Sequence, residues 1–289
     1  MTATEPLVPR DAATVMLVRD GEAGLEVCMM RRNLNSAFVG GAYVFPGGAV
    51  DPEDKDVALE AICDGRTDED ASRQLGIEHG GLAFWIAAVR ECFEEAGVLL
   101  AVDDTGTVVS LADPDTAARF AQWRHAVDHG ETRLVEVCEA EGLKVAATDI
   151  YYFAHWITPV GPSRRYDTRF FVAAAPPNQR PVHDDRETID TIWIRPSDAL
   201  ERQRNHELDL IFPTIRNLEA IGRFDTAADL LAAAAAIDDV VTVLPKVVSG
   251  DTGMRIVLPG DPGYDDVIDG KLPAGVESGT MVDDREIAH

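Results

Sequence analysis

Short runs dominated by apolar and β-branched residues mark the strands of this chain, and longer stretches with a period near 3.6 mark its helices. Thr14-Val15-Met16-Leu17-Val18 and Leu25-Glu26-Val27-Cys28-Met29-Met30 flank the Gly-containing turn 20–24 and predict a hairpin. Residues 33–41 read as a loop. Ala42-Tyr43-Val44-Phe45 reads as a third strand, expected to stop at Pro46-Gly47-Gly48 because proline cannot donate to a ladder. Residues 54–80 carry helical patches at 57–63 and 69–75 with polar joints, and read as an insertion. The clearest helix covers 82–100. With Glu91 set at 0° and about 100° per residue, Trp85, Ile86, Val89, Cys92, Phe93 and Ala96 share one arc and form a buried stripe. Further helices are predicted at 114–129, 132–141, 212–221 and 227–237, with another starting at Pro196-Ser197-Asp198. Strands are predicted at 150–157, 169–174, 188–194, 240–248 and 254–258. The last thirty or so residues, rich in Gly, Pro and Asp, read as a loose tail, and there is no internal repeat.

Composition narrows the choices. A chain of 289 residues, 46% hydrophobic and 27% charged, has enough apolar material for a core, which excludes a wholly disordered, collagen-like or coiled-coil protein. Its longest uninterrupted apolar runs, 82–89 and 230–237, fall far short of the roughly 20 residues that span a bilayer. The first ten residues lack a basic-then-apolar pattern, so a cytoplasmic location is expected. Cys28, Cys63, Cys92 and Cys138 show no C-x-x-C spacing and are expected as free thiols. The net charge of −25, from 51 acids against 26 bases, repels a nucleic-acid polymer or an anionic membrane over most of the surface. An anionic substrate has to be met locally, by a metal ion or by clustered arginines.

On the helical projection Glu94 lies at about −60°, Glu91 at 0° and Glu95 at about +40°, so three carboxylates face away from the apolar stripe. The ordinary explanation is a solvated acidic face. Against it, Glu91 and Glu95 form a like-charge i,i+4 pair that costs about 0.2–0.5 kcal/mol, with only Arg90 as a local cation. A hard divalent ion, which takes oxygen ligands, turns that repulsion into attraction.

The run Arg90-Glu91-Cys92-Phe93-Glu94-Glu95-Ala96-Gly97-Val98 resembles the second half of the Nudix box, R-E-U-x-E-E-x-G-U, where U is a bulky aliphatic. Arg90, Glu91, Glu94, Glu95 and Gly97 fill every fixed position, and Cys92 at the first U is the one departure. The first half, G-x5-E, ends on Glu53 when counted from Gly47 and on Asp54 when counted from Gly48. The family usually has seven residues between this acid and the arginine; here an insertion separates them. That insertion, residues 90–100, and the stretch from His155-Trp156-Ile157-Thr158-Pro159 through Arg165-Tyr166-Asp167-Thr168-Arg169-Phe170-Phe171 look like the Nudix subgroup containing a peroxisomal coenzyme A diphosphatase, a likeness covering residues 12–260. Arg32, Gly41 and Phe45-Pro46-Gly47-Gly48 with Asp51 are similar to a motif of coenzyme A-cleaving members, with Ala37 where a second arginine usually stands. The terminal Glu286-Ile287-Ala288-His289 is not an S-K-L-type address.

The resemblance implies an α/β Nudix fold, a mixed sheet sandwiched by helices, in one domain over 10–260 with helical insertions near 54–80 and 112–148 and a tail at 261–289. It implies Glu91, Glu94 and Glu95 as ligands of Mg²⁺ or Mn²⁺, with Arg90 orienting a carboxylate. The general base is either a helix glutamate or Glu187, whose competing reading is an ordinary edge-strand carboxylate. Arg164, Arg165 and Arg169 are candidate substrate anchors, since arginine forks suit phosphate oxygens, or else partners of Asp167. Gly47 and Gly48 shape the loop presented to the metal. His155 is either a substrate contact or a structural histidine, and Asp51 and Asp54 either join the metal or form turns. The expected activity is metal-dependent hydrolysis of a phosphoanhydride in a nucleoside diphosphate linked to another moiety, with coenzyme A or acyl-coenzyme A first. ADP-ribose, NADH and dinucleoside polyphosphates compete as substrates, and a non-catalytic nucleotide sensor competes as a function. The expected partner is a small nucleotide; a homodimer is compatible with the sequence.

Overall fold

The computed structural model describes residues 7–35, 40–184, 186–250, 253–268, 270–273 and 275–282. Ala37 and the terminal 286–289 segment lie outside the described residues. Strand β1 (Arg10–Gly21) turns back as β2 (Gly24–Arg32), the expected hairpin. Then come β3 (Tyr43–Val44), β4 (Gly47–Ala49), β5 (Ala101–Val102), β6 (Lys144–Val145), β7 (Ile150–Ile157), β8 (Tyr166–Ala174), β9 (Thr188–Ile194) and β10 (Thr242–Val243). The main sheet runs β10-β7-β8-β1-β2-β3, with β4 also on β1 and β9 also on β2; β5 and β6 form a separate ladder. β1 and β8 pair in parallel, as do β10 and β7, so the sheet is mixed.

Both sheet faces are covered, which is why the strands read as nearly continuous apolar runs. Along β1, Ala13, Val15 and Leu17 enter one core while Met16 and Val18 enter the other. The first face carries α1 (Asp68–Leu75), α2 (Leu82–Ala96), α3 (Pro114–Asp128) and α4 (Leu134–Glu141); the second carries α5 (Pro196–Arg204), α6 (Phe212–Ile221) and α7 (Ala227–Ala235). The sandwich is the α/β arrangement expected. α2 seats by its apolar stripe: the Trp85 ring lies 4.6 Å from that of Phe171, and its Nε1 donates to the Ile150 carbonyl at 2.9 Å. Among the described residues no helix is long and apolar enough to cross a membrane. The four cysteines are buried free thiols.

Several elements differ from the patterning. α2 stops at Ala96 rather than residue 100, because Gly97 adopts the left-handed φ of 67° that ends a helix. The patch at 57–63 is a 3₁₀ segment (Val57–Ile62), as is Pro52–Lys55 just before it. Gly47-Gly48-Ala49 does not end the strand region but pairs with Thr14, Ala13 and Ala12 of β1. The predicted strand 240–248 breaks at Pro245, leaving β10 and a new strand β11 (Lys246–Gly250), which pairs with β12 (Gly253–Val257) and, through it, with β13 (Thr280–Met281). The segment from 261 is therefore tied back as far as it is described: Tyr264 donates its hydroxyl to the Leu244 carbonyl at 2.6 Å, and Thr280 pairs with Ile256.

Candidate active site

A cleft of about 620 Å³ opens where β4, the polar edge of α2, the α3–α4 connection and the start of β9 converge. Nine acidic side chains (Asp51, Glu53, Asp54, Glu91, Glu94, Glu95, Asp128, Asp184, Glu187) and five arginines (Arg32, Arg90, Arg133, Arg164, Arg186) line it, four more acids than bases.

Arg90 organises the acidic side. Its Nε and Nη2 grip Asp54 at 2.9 and 2.8 Å, its Nη1 donates to Glu91 at 2.9 Å and Glu94 at 3.2 Å, and Nη2 also reaches the Ala49 carbonyl at 2.9 Å. Burial opposes its charge, but the Asp54 hydrogen bonds and the charges of Glu91, Asp54 and Glu94 prevail and hold the guanidinium firmly protonated. Asp54, rather than Glu53, is thus the acid of the box's first half that meets the helix. It also accepts the Asp51 N–H at 2.8 Å, closing the 3₁₀ turn that carries it. The intervening residues 55–89 leave Asp54 and Arg90 in contact.

The three helix glutamates are not solvated. Glu95 is 3% exposed and accepts the Gly47 N–H at 3.0 Å, while Glu91 and Glu94 keep only 13% and 16% of their side chains exposed. Burial pushes Glu91 up to about 7 against the pull of Arg90, and Glu94 to about 8; burial and the neighbouring Glu91 hold Glu95 well above the usual carboxylate range. Gly48 lets this happen, since a Cβ there would collide with the Glu91 carboxylate, and a Cβ on Gly47 would collide with Ala13 and Thr14 of β1. With Glu91 and Glu94 turned onto Arg90, no three His, Cys, Asp or Glu side chains among the described residues are grouped as a metal cluster. The donor set still suits a hard divalent ion: it offers oxygens only, with surplus negative charge in a desolvated setting.

The β2–β9 register places Arg32 opposite Thr188, so Glu187 enters the cleft beside Arg32. Glu187 is half exposed, and an Asp184 side chain accepting the N–H groups of Arg186, Glu187 and Thr188 builds the turn beneath it. Arg32 has a buried Nε with no partner among the described residues. Of the three candidate anchor arginines only Arg164 lines the cleft. Arg165 is buried and donates to the carbonyls of Thr158, Pro159 and Leu7. Arg169 is also buried, paired with Asp167 and stacked 4.6 Å over Phe84. Those two anchor a loop and a core, because a β-strand alternates its side chains and the cleft takes Thr168 and Phe170 instead. His155 bridges Asp167 and Thr242, at 2.5 and 2.8 Å, and is structural.

Sequence reasoning left Asp128, Arg133, Asp184 and Arg186 out of the site. All four sit at helix ends or in turns, and only the fold brings them to the cleft. Arg32 closes the apolar strand β2 and lines the cleft, and a cation ending an apolar strand is its signal in the sequence.

The family profile described as the NUDT19 Nudix domain matches residues 63–221, more than half of the chain. The chain is 26% identical to acyl-coenzyme A diphosphatase NUDT19 of Gallus gallus, over 95% of this chain and 85% of that protein. It is 27% identical to the Homo sapiens protein of the same name, over 91% and 76%. A solved structure, a NUDIX hydrolase from Alicyclobacillus acidocaldarius, is 27% identical and superposes with a TM-score of 0.62, covering 78% of this chain and 96% of that one. Box, fold and relatives agree: the chain belongs to the Nudix hydrolases, in the group resembling the coenzyme A diphosphatases, and is a pyrophosphatase.

Proposed function

We propose that the chain cleaves the diphosphate bridge of coenzyme A or acyl-coenzyme A, with Mg²⁺ or Mn²⁺ held by Glu91, Glu94 and Glu95. The observation that carries the reading is the sorting of charge in the cleft. The α2 carboxylates share the cleft with Arg32 and Arg164, for which no salt bridge is formed among the described residues; Arg32 keeps a buried Nε without a hydrogen-bond partner while its charge acts on Glu95. Such a cleft suits an anionic substrate bridged to carboxylates by a cation. The substrate class is supported by the relatives named acyl-coenzyme A diphosphatase and by the residues from Arg32 to Asp51.

When bound, the divalent ion supplies an acidified water and offsets charge on the phosphates. Asp54 holds Arg90, and Arg90 fixes the Glu91 and Glu94 carboxylates along one edge of α2. Arg32 and Arg164 take phosphate oxygens through charge-assisted hydrogen bonds. Glu187 accepts the proton of the attacking water, since it lines the same cleft half exposed and is not among the glutamates assigned to the cation. The water oxygen bonds to phosphorus and the bridging oxygen leaves with the other phosphate. The products are an adenosine bisphosphate and a phosphopantetheine or its acyl derivative.

The test is incubation of the purified chain with Mg²⁺ or Mn²⁺ and a panel of coenzyme A, acyl-coenzyme A, ADP-ribose, NADH and diadenosine polyphosphates, with Glu94→Gln as control. Phosphopantetheine release that is lost in Glu94→Gln supports the reading. Preferential cleavage of another member overturns the substrate, and no product from any of them favours a nucleotide sensor.

A further inference from the structure

α3 is weakly seated for its length. Of its fifteen residues only Phe120 and Val127 are buried apolar anchors. Yet it packs on the C-terminal end of α2 through Arg124, one turn beyond Phe120. The Arg124 Nε donates to the Glu94 carbonyl at 2.9 Å and its Nη2 to the Glu95 carbonyl at 2.8 Å. These belong to the last four carbonyls of α2, which have no partner within the helix, and a cation there is favoured by the helix dipole. Gly97 leaves the space, since a Cβ on it would stand 2.9 Å from the Arg124 Nη1. One turn further along the same face, Asp128 accepts a hydrogen bond from the Arg186 Nη2 at 2.6 Å, and that nitrogen lies 3.6 Å from the Glu187 carboxylate.

We propose that Arg124 and Asp128 are positioning residues: from one face of α3 they clamp the backbone of Glu94 and Glu95 and the Arg186–Glu187 turn at a fixed separation. The inference rests on the metal-dependent reading above. Arg124 acts through carbonyl oxygens, so both glutamate side chains stay available to a cation. Asp128 acts through Arg186, keeping the turn that carries Glu187 against the cleft. Neither touches the reacting atoms. The segment inserted at 112–148 then has a catalytic consequence without supplying a catalytic residue.

The test uses the full chain, with Mn²⁺ alone as the probe. Titration calorimetry gives the Mn²⁺ affinity, acyl-coenzyme A turnover gives kcat and KM, and thermal unfolding without metal gives Tm, for the parent chain, Arg124→Met, Arg124→Lys and Asp128→Asn. Arg124→Met is expected to weaken Mn²⁺ binding about tenfold, the scale typical of groups that orient metal ligands, while KM moves by less than about twofold. Arg124→Lys, which keeps the cation and reaches one carbonyl, recovers part of the loss. Asp128→Asn is expected to lower kcat about tenfold with Mn²⁺ affinity held within about twofold, because only the Glu187 arm is released. A lower Tm with unchanged Mn²⁺ affinity and unchanged kcat overturns the proposal. Should Arg124→Met fail to fold, parent-like Mn²⁺ affinity in Arg124→Lys together with parent-like kcat in Asp128→Asn overturns it equally. If the parent chain binds Mn²⁺ but cleaves no coenzyme A compound, the substrate reading fails while the Mn²⁺ shift still judges the clamp. A parent chain that binds no Mn²⁺ overturns both.

Discussion

Arg90 on α2 and Asp54 on a 3₁₀ turn meet through two parallel hydrogen bonds of 2.9 and 2.8 Å, although 36 positions separate them in the chain. Both are buried, so the Asp54 charge depends on Arg90, while Arg90 is shared between Asp54, Glu91 and Glu94. Asp54→Ala removes two of the hydrogen bonds of a buried guanidinium, leaving it Glu91, Glu94 and the Ala49 carbonyl, and is expected to cost about 3 kcal/mol, measured by urea unfolding, and to lower turnover because Arg90 is no longer held where it meets Glu91 and Glu94. Glu53→Gln, one position away and outside that pairing, is expected to change stability by less than about 0.5 kcal/mol. Equal effects from the two would mean that the box's first acid has been assigned to the wrong residue.

Gly48→Ala separates space from backbone strain. The added methyl group would overlap the Glu91 carboxylate, the movable end of a side chain, so the fold yields cheaply and stability should fall by no more than about 1 kcal/mol. The displaced carboxylate is the functional cost, on the order of 10²-fold in kcat. Comparing kcat with Tm for this variant reads the two effects apart.

Arg164 and Arg165 are neighbours with opposite expected phenotypes. Arg164→Ala should leave Tm unchanged and raise KM about tenfold, the value of one charge-assisted hydrogen bond to a phosphate. Arg165→Ala abandons three backbone carbonyls and should lower stability by about 2 kcal/mol with KM unaffected. If KM rises for Arg165→Ala in a folded protein, the anchor has been placed one residue off.

Glu187→Gln removes the proposed proton acceptor without changing side-chain size. A fall of 10²-fold or more in kcat, with Mn²⁺ affinity preserved, is expected of a general base. Loss of Mn²⁺ affinity instead would make Glu187 a ligand, and no change at all would return the proton to a helix glutamate.

What the sequence carried well is what repeats locally. The short apolar, β-prone runs of β1 and β2 and the apolar stripe of α2 match the sandwich, and the arc of Glu91, Glu94 and Glu95 lies along the acidic edge of the cleft. Long-range pairing was not legible. Nothing near Arg90 in the chain distinguishes Asp54 from Glu53, because burial of one and exposure of the other is decided by where the 3₁₀ turn closes. The three arginines 164, 165 and 169 look alike in sequence, yet the fold sends one to the cleft and buries the other two. Arg124 shows no local signal either: it reads as a solvated cation until α3 is laid across the end of α2.

The raised values of Glu91, about 7, and Glu94, about 8, set a pH dependence for the metal-free chain. Their ordinary value is 4.5, so between about pH 5 and pH 8 the folded state holds more protons than the unfolded chain. Stability must therefore fall as pH rises through that window, because ionising the two carboxylates in a desolvated cleft is harder than ionising them in water. Asp167 works in the opposite sense: burial disfavours its ionisation, but His155 and Arg169 prevail and hold it below the ordinary 3.8, so its contribution is lost only as pH falls below about 4, outside the window. Urea unfolding in chelator should show a midpoint lower at pH 8 than at pH 6, equivalent to about 1 kcal/mol or more. Adding Mg²⁺ or Mn²⁺ at a hundred times its dissociation constant should restore about 2.7 kcal/mol and flatten the slope, since bound carboxylates are already ionised. A midpoint that rises from pH 6 to pH 8 in chelator would mean that the glutamates ionise normally and that the cleft is wetter than the packing around Gly47 and Gly48 indicates.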